Sequence, residues 1–111
     1  MAKYSIDLDK AFSALADPTR RAIVNLLCDG PKSVSELSEP FDLALPSLLK
    51  HVRVLEESGL ISSEKAGRVR TCKVQPDTLR ETEAWIHQHI AVWENRLDRM
   101  EAHIQRMKRK H

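Results

Sequence analysis

The sequence predicts a mainly α-helical fold with one small β-hairpin, in a single domain that spans residues 1–111. Three observations predict it. Residues 33–58 contain a helix-capping pattern followed by an amphipathic stretch, and residues 60–74 contain two strand-favouring runs around a glycine. The segment 76–107 has no glycine or proline after its first residue and repeats apolar side chains with helical spacing. A chain of this length forms one modest core and gains stability from burying a further apolar face against a partner.

The first helix of the central pair is predicted to begin at Ser33. A serine followed three residues later by Glu36 is the spacing of a capping box, in which each side chain bonds to the backbone amide of the other residue. Pro40 ends this helix after one or two turns, because proline cannot continue a helix interior. Residues 41–43 then form a turn.

The second helix of the pair is predicted to span residues 44–58. It begins between Ala44 and Pro46, since proline is tolerated in a first helical turn, and Gly59 marks its end. Helical periodicity separates its side chains into two faces. The face predicted to lie in the core contains Leu45, Leu48, Val52 and Leu55. The face predicted to be available to a ligand contains Pro46, Ser47, Lys50, Arg53, Val54 and Glu57.

A β-hairpin is predicted to follow directly. Residues 60–65 and 68–74 are its strands, and residues 66–67 are its tight turn. The order of a short helix, a turn, a second helix and a hairpin is the plan of a winged helix-turn-helix, which favours a DNA-binding protein. The cations at or near the hairpin tip are Lys65, Arg68 and Arg70.

Positive charge is concentrated on the predicted second helix and hairpin. Residues 44–74 contain six Lys or Arg against three acidic residues, a local charge of +3, whereas residues 1–43 contain five against seven, a local charge of −2. A helix fits the major groove, where side chains reach base edges, while neighbouring Lys and Arg neutralise phosphates. The residues predicted to contact double-stranded DNA are Pro46, Ser47, Lys50, His51, Arg53, Lys65, Arg68 and Arg70.

Some of these side chains have a second interpretation. Lys50 and Arg53 could form an ordinary solvated helix face, but the arginines of the adjoining hairpin favour DNA contact. Leu45 and Leu49 could pack in the core, which is favoured for Leu45, or could touch thymine methyl groups. His51 flanks the core face, where a histidine is more often a packed or phosphate-touching residue than a ligand.

The C-terminal segment predicts a long dimerisation helix. Its apolar residues, which continue to Met107, alternate at spacings of four and three and form an a/d seam. A helix of roughly 30 residues is about 45 Å long, more than one small body can cover, so part of the seam should meet a second subunit. An N-terminal apolar stripe is predicted to pack beside this helix. The predicted dimer-interface residues are Leu8, Phe12, Ile86, Ile90, Trp93, Leu97, Met100 and Ile104.

Two stretches resemble the ArsR (arsenical-resistance repressor) family of bacterial regulators. They are residues 17–23, D-P-T-R-R-A-I, and residues 43–61, L-A-L-P-S-L-L-K-H-V-R-V-L-E-E-S-G-L-I. The resemblance covers nearly the whole chain, from about Leu8 to the final helix. It implies a homodimeric winged-helix repressor that binds an imperfect palindrome near a promoter.

Neither metal-binding pattern of that family is present. Founding members carry L-C-V-C-D-L in the helix before the recognition helix, and residues 32–37 of this chain are K-S-V-S-E-L, with serine at both cysteine positions. The C-terminal pattern of Asp-x-His and His-x-x-Glu is not matched by His87, His89 or His103. No metal or cofactor is therefore predicted, and the small-molecule effector is left open.

Other classes of function have less support. An enzyme is not predicted, because the chain has three glycines in all, no phosphate-cradling loop and no nucleophile motif. One alternative is a winged-helix protein-interaction module, although such a module does not need clustered cations. Another is a metal- or redox-responsive version of the repressor, in which Cys28 and Cys72 would matter; two inert thiols are the favoured interpretation. With no signal peptide or apolar membrane span, a cytoplasmic location is expected.

Overall fold

Five helices and three strands make up residues 7–109, which are the part of the chain that the computed structural model describes. Residues 1–6 and 110–111 of the predicted domain lie outside the described residues. The elements are α1 Leu8–Leu15, α2 Pro18–Leu27, β1 Lys32–Ser33, α3 Val34–Ser38, α4 Leu45–Glu57, β2 Ile61–Ala66, β3 Val69–Val74 and α5 Pro76–Arg109.

Side-chain caps fix the starts of the first three helices. The carboxylates of Asp7 and Asp17 accept backbone amide bonds at the first turns of α1 and α2. At α3 the Glu36 amide donates to the Ser33 hydroxyl at 3.1 Å, and the Ser33 amide donates to the Glu36 carboxylate at 2.8 Å. The predicted capping box is therefore confirmed.

The predicted second helix is also confirmed, with both ends within one residue of the expected bounds. Pro46 lies in the first turn of α4, and Ser58 is its C-terminal cap. Gly59 then adopts a φ of +81°, and a Cβ at this position would lie 3.3 Å from the Thr78 hydroxyl oxygen. A side chain is disfavoured there by both the backbone angle and the close approach of α5.

The hairpin belongs to a three-stranded antiparallel sheet with the order β1-β3-β2. Strand β1 was not predicted, because its two residues are too few to show an alternating pattern. The predicted turn was also misplaced by one residue. Ala66 pairs with Val69, so Gly67 and Arg68 form the turn, and Gly67 has the positive φ of +63° that the first position of a type II′ turn requires.

The hydrophobic core lies between α1–α4 and the sheet. Three predicted core residues of α4 are fully buried: Leu48, Val52 and Leu55. The prediction for Leu45 is wrong, because this first residue of α4 is 53% exposed and the core begins one turn later. Val54, predicted on the outer face, is partly buried against the core. The remaining fully buried large side chains are Ile23, Leu37, Leu60, Ile61 and Cys72.

Helix α5 extends far beyond this core. Only its first turns contribute buried residues, Thr78 and Thr82, and every residue from 83 to 109 is exposed. The predicted packing of α1 beside α5 is confirmed by an edge-to-face contact between Phe12 and Trp85, with ring centroids 5.4 Å apart. The radius of gyration is 20.3 Å, against about 13 Å for a compact domain of this length. Within residues 7–109, no helix combines the length and apolar character needed to cross a bilayer.

Candidate nucleic-acid interface

The outer face of α4 is polar and open to solvent. Burial of Leu48, Val52 and Leu55 fixes the rotation of the helix about its axis. Because side chains follow the helical period, this rotation turns the opposite side of α4 outwards. The predicted contact residues on that side are all exposed, namely Pro46, Ser47, Lys50 and Arg53.

Most of the predicted contact cations have no partner within residues 7–109. Within the described residues, no hydrogen bond or ion pair involves the side chains of four predicted contact residues: Lys50, Arg53, Lys65 and Arg68. Two arginines elsewhere are occupied: Arg21 donates to the Leu15 carbonyl at 2.8 Å, and Arg80 bonds Asp77 at 2.7 Å. An unpaired, hydrated cation keeps its full charge available for a phosphate.

The hairpin tip concentrates positive charge. Lys65 and Arg70 are directly opposite each other across β2 and β3, and Arg68 lies in the turn beyond them. Like charges at opposed positions of an antiparallel pair destabilise it. Because an anion bound between these side chains relieves that repulsion, the tip is suited to a phosphate.

A hydrogen-bonded chain joins the hairpin to α4. The Arg70 guanidinium donates to the Ser63 hydroxyl at 2.9 Å, and that hydroxyl donates to the Glu56 carboxylate at 2.9 Å. Ser63 and Glu56 are partly buried, whereas Arg70 is exposed. The Ser63–Glu56 bond joins the hairpin to α4, whereas the Arg70–Ser63 bond joins the two strands of the hairpin. The sequence contained no signal for these bonds, because hydrogen bonds between separate elements leave no local pattern.

His51 lies on the flank of α4 that faces α2. Its Nδ1 is 3.3 Å from the Arg20 guanidinium and 3.9 Å from the Asp17 carboxylate, and its side chain is 23% exposed. Arg20 also donates from Nε to the Ala14 carbonyl at 2.8 Å and from Nη2 to the Ser13 carbonyl at 3.2 Å. The ring is thus held by the turn between α1 and α2. DNA contact by His51 stays a prediction.

Asp17 couples this cluster to solution pH. The amide hydrogen bond from Arg20 is the largest cause, and it lowers the pKa of the Asp17 carboxyl below its ordinary 3.8 despite the opposing effect of desolvation. The positive charge of the Arg20 side chain lowers this pKa further. The ionised form is therefore the one that the fold prefers.

The variant Asp17→Asn keeps a capping oxygen and removes this charge. Because the folded pKa is lowered, the charge stabilises the native state above the ordinary pKa, and the contribution is lost as the pH falls through the native value. We expect a higher free energy of unfolding for the wild type at neutral pH, and we expect the difference from the variant to disappear in acid. Urea titrations between about pH 7 and pH 2 measure it. A difference independent of pH would contradict this electrostatic role.

Six of the eight predicted dimer residues form a stripe along α5, and the other two, Leu8 and Phe12, are on α1. The seam positions are exposed over the length of the helix, with values from 38% at Leu97 to 61% at Trp93 and Met100. Phe12 is engaged within the chain by Trp85, a residue outside the heptad pattern that was not predicted to have a role. The place of the seam and of Phe12 in an interface between subunits stays a prediction.

The histidines and cysteines are dispersed. His89 stacks on Trp85 with centroids 4.0 Å apart, and its Nδ1 lies 2.8 Å from the Trp85 carbonyl oxygen. Cys28 is exposed, and burial raises the pKa of the Cys72 thiol. No group of three or more His, Cys, Asp or Glu side chains comes together as a metal site in residues 7–109.

Comparisons with known proteins agree with this geometry. A family model described as a helix-turn-helix domain matches residues 15–64. The chain is 39% identical over 71 residues to the HTH-type transcriptional regulator Rv2034 of Mycobacterium tuberculosis, covering 64% of this chain and 66% of that protein. It is 28% identical over 90 residues to the transcriptional repressor SdpR of Bacillus subtilis, covering 81% of this chain and all of that repressor.

A solved structure extends the likeness to the fold and the family. The crystal structure of the ArsR family transcriptional regulator RHA00566 superposes with a TM-score of 0.75 and is 50% identical, covering 78% of this chain and 90% of that one. Three findings indicate the same family. They are the helix-turn-helix match, the winged arrangement of α3, α4 and the hairpin, and the 50% identity to this regulator. The chain belongs to the ArsR family of winged helix-turn-helix transcriptional regulators.

Proposed function

We propose that this protein is a homodimeric repressor that binds a two-fold symmetric operator, with α4 in the major groove and the hairpin on the flanking backbone. The observation that carries the proposal is the set of exposed cations on α4 and the hairpin. Four of them, Lys50, Arg53, Lys65 and Arg68, have no hydrogen-bond or ion-pair partner within the described residues. Repression is proposed because the similar SdpR protein is named a transcriptional repressor.

A division of labour among the predicted contacts follows from their positions. Side chains on the outer face of a helix reach base edges, whereas those on a hairpin beside it reach phosphates or the minor groove. We assign base or groove-wall contact to Pro46, Ser47, Lys50 and Arg53, backbone contact to Lys65, Arg68 and Arg70, and an edge contact to His51.

The proposed dimer interface lies along the exposed apolar seam of α5. A helix that presents regularly spaced apolar residues to water along about six turns is stabilised by burying them against a matching helix. A second copy of the chain supplies such a helix in the same register. Its predicted contacts are Ile86, Ile90, Trp93, Leu97, Met100 and Ile104, with Leu8 and Phe12 of α1 beside them.

Two-fold symmetry then determines the operator. Each subunit presents one α4, and the two helices must enter successive major grooves about 34–36 Å apart on one side of the duplex. The half-sites should therefore be inverted repeats with centres about 10–10.5 base pairs apart. Because its ligand is promoter DNA, such a repressor acts in the cytoplasm of a bacterial cell.

A winged-helix module that docks another protein is the competing function. Protein interfaces are depleted of charged residues at their centres, whereas the surface of α4 and the hairpin tip carries clustered cations. These cations favour a polyanion.

A reporter assay tests repression. Duplexes selected by the purified protein from a random-sequence pool are placed between a promoter and a reporter gene, and the regulator is expressed in the same bacterial cells. We expect reporter expression to fall, and to fall less for the variant Lys50→Ala. An increase in expression would make the protein an activator, and failure to select any sequence would contradict the proposed DNA recognition.

The hairpin provides a separate prediction. Arg68→Ala should weaken binding to selected and random duplexes alike, because a phosphate contact carries no base information. The slope of log K against log salt should become shallower by about one unit for each phosphate that the variant no longer neutralises. Fluorescence anisotropy at several salt concentrations measures this slope. The control Arg80→Ala removes a charge that is already paired with Asp77, and an equal change of slope in both variants would remove Arg68 from the interface.

A further inference from the structure

Two exposed leucines lie in the N-terminal part of α4. Leu45 is 53% exposed and Leu49 is 36% exposed. They are four residues apart, so they lie on the same side of the helix, one turn above the other. The core packing of α4 is provided by other residues, Leu48, Val52 and Leu55.

Neither leucine is accounted for by packing within the described chain. Neither belongs to the core cluster or to the partly buried apolar residues that pack against it. Leu49 instead lines an open groove between α4 and the hairpin, together with Arg53, Glu56 and Arg70. The seam of α5, where a second subunit is proposed, is formed by a different set of residues. Leu49 therefore shares its groove with Arg53, a predicted DNA contact, and Leu45 lies exposed one turn before Leu49 at the start of α4.

The major groove of DNA presents few groups that a leucine side chain can contact favourably. Each base pair presents hydrogen-bond donors and acceptors there, and the C5-methyl group of thymine is the apolar group among them. A leucine cannot form a hydrogen bond with a base edge, but it can bury a methyl group.

We propose that Leu45 and Leu49 determine specificity by contacting the C5-methyl groups of two thymines in each operator half-site. The inference rests on the proposed binding of operator DNA through α4. Their separation along the helix axis is about 6 Å, from a rise of 1.5 Å per residue. Base pairs are stacked about 3.4 Å apart, so the two methyl groups belong to thymines one or two steps apart.

Replacing thymine by deoxyuridine tests this contact without changing the protein. The substitution removes the methyl group and leaves the base pairing unchanged. Duplexes selected from a random pool by the wild type are synthesised with each thymine of both half-sites replaced in turn. We expect two positions per half-site at which affinity falls about fourfold for each buried methyl group, and about 15-fold when both symmetric positions are replaced.

Protein variants assign each methyl group to a residue. Leu45→Ala and Leu49→Ala should each bind the thymine and deoxyuridine duplexes equally at one of the two positions, while keeping the wild-type decrease in affinity at the other. Leu43→Ala removes a leucine of similar exposure, 37%, that precedes α4, and it should keep both decreases. Circular dichroism checks that all three variants remain helical.

The possible outcomes separate this inference from the proposed function. If the wild type selects a sequence but tolerates deoxyuridine at every position, or if the alanine variants keep both decreases in affinity, the methyl contact is wrong and operator binding stands. If the wild type selects no sequence at all, the proposed function fails, and this inference fails with it.

Discussion

Trp93→Asp should convert the protein into a monomer that binds operator DNA poorly. Trp93 lies in the middle of the α5 seam, is 61% exposed and has no described partner within residues 7–109. In the proposed dimer it meets the seam of the second helix, where a tryptophan typically contributes about 2 kcal/mol or more. A carboxylate there is desolvated without a partner. Each subunit of the dimer carries one substitution. We therefore expect the free energy of dimerisation to become less favourable by at least about 4 kcal/mol, which is a roughly thousandfold weaker dimer.

The absence of dimers should lower DNA affinity although no DNA-binding residue is altered. Two half-sites bound by one dimer benefit from a high effective concentration, which separate monomers lack. Sedimentation velocity at micromolar protein measures the association state, and anisotropy measures DNA affinity. Asn95→Asp is the matched control, because it adds the same charge to the same helix on the side opposite the seam. A stable dimer of Trp93→Asp would show that the interface has been misplaced.

Lys50→Ala should cause the largest decrease in sequence-specific binding. Lys50 is exposed near the centre of the outer face of α4, and its ammonium has no partner in the described chain. Removing a side chain that bonds to a base edge costs about 1–3 kcal/mol. Because the dimer carries this substitution twice, we expect operator affinity to fall about 30-fold or more.

Competition between selected and random duplexes measures this effect. Binding to random duplexes should weaken much less than binding to the operator, so the ratio of the two affinities should fall. Lys10→Ala removes the same charge from the exposed surface of α1 and is the control. Unchanged operator affinity in Lys50→Ala would contradict the proposed position of α4 in the major groove.

The elements that local signals specify were predicted well. The capping box at Ser33 and Glu36, the proline in the first turn of α4 and the glycine after it determined the helix-turn-helix within one residue. Strand β1 was missed because a two-residue strand exists only through its pairing with β3. The predicted burial of Leu45 was wrong because periodicity gives the direction of a side chain but not where along the helix the core ends.

The sequence predicted the positive charge of the candidate site, but it did not predict the hydrogen bonds within it. The excess of cations over residues 44–74 indicated the surface. Which cations are occupied depends on tertiary contacts, such as those that join Arg70 to Ser63 and Arg20 to His51. These pairs are separated by 7 and 31 residues, and no sequence spacing specifies them.

The most direct test of operator recognition by a dimer is the stoichiometry and specificity of the complex with DNA, measured together. The purified protein is titrated against a selected duplex and a scrambled duplex at several salt concentrations, with and without added metal, chelator or oxidant, and the mass of the complex is determined by sedimentation. We expect two chains per duplex and tight binding of the selected palindrome alone. Weak, strongly salt-dependent binding that ignores sequence would contradict operator recognition.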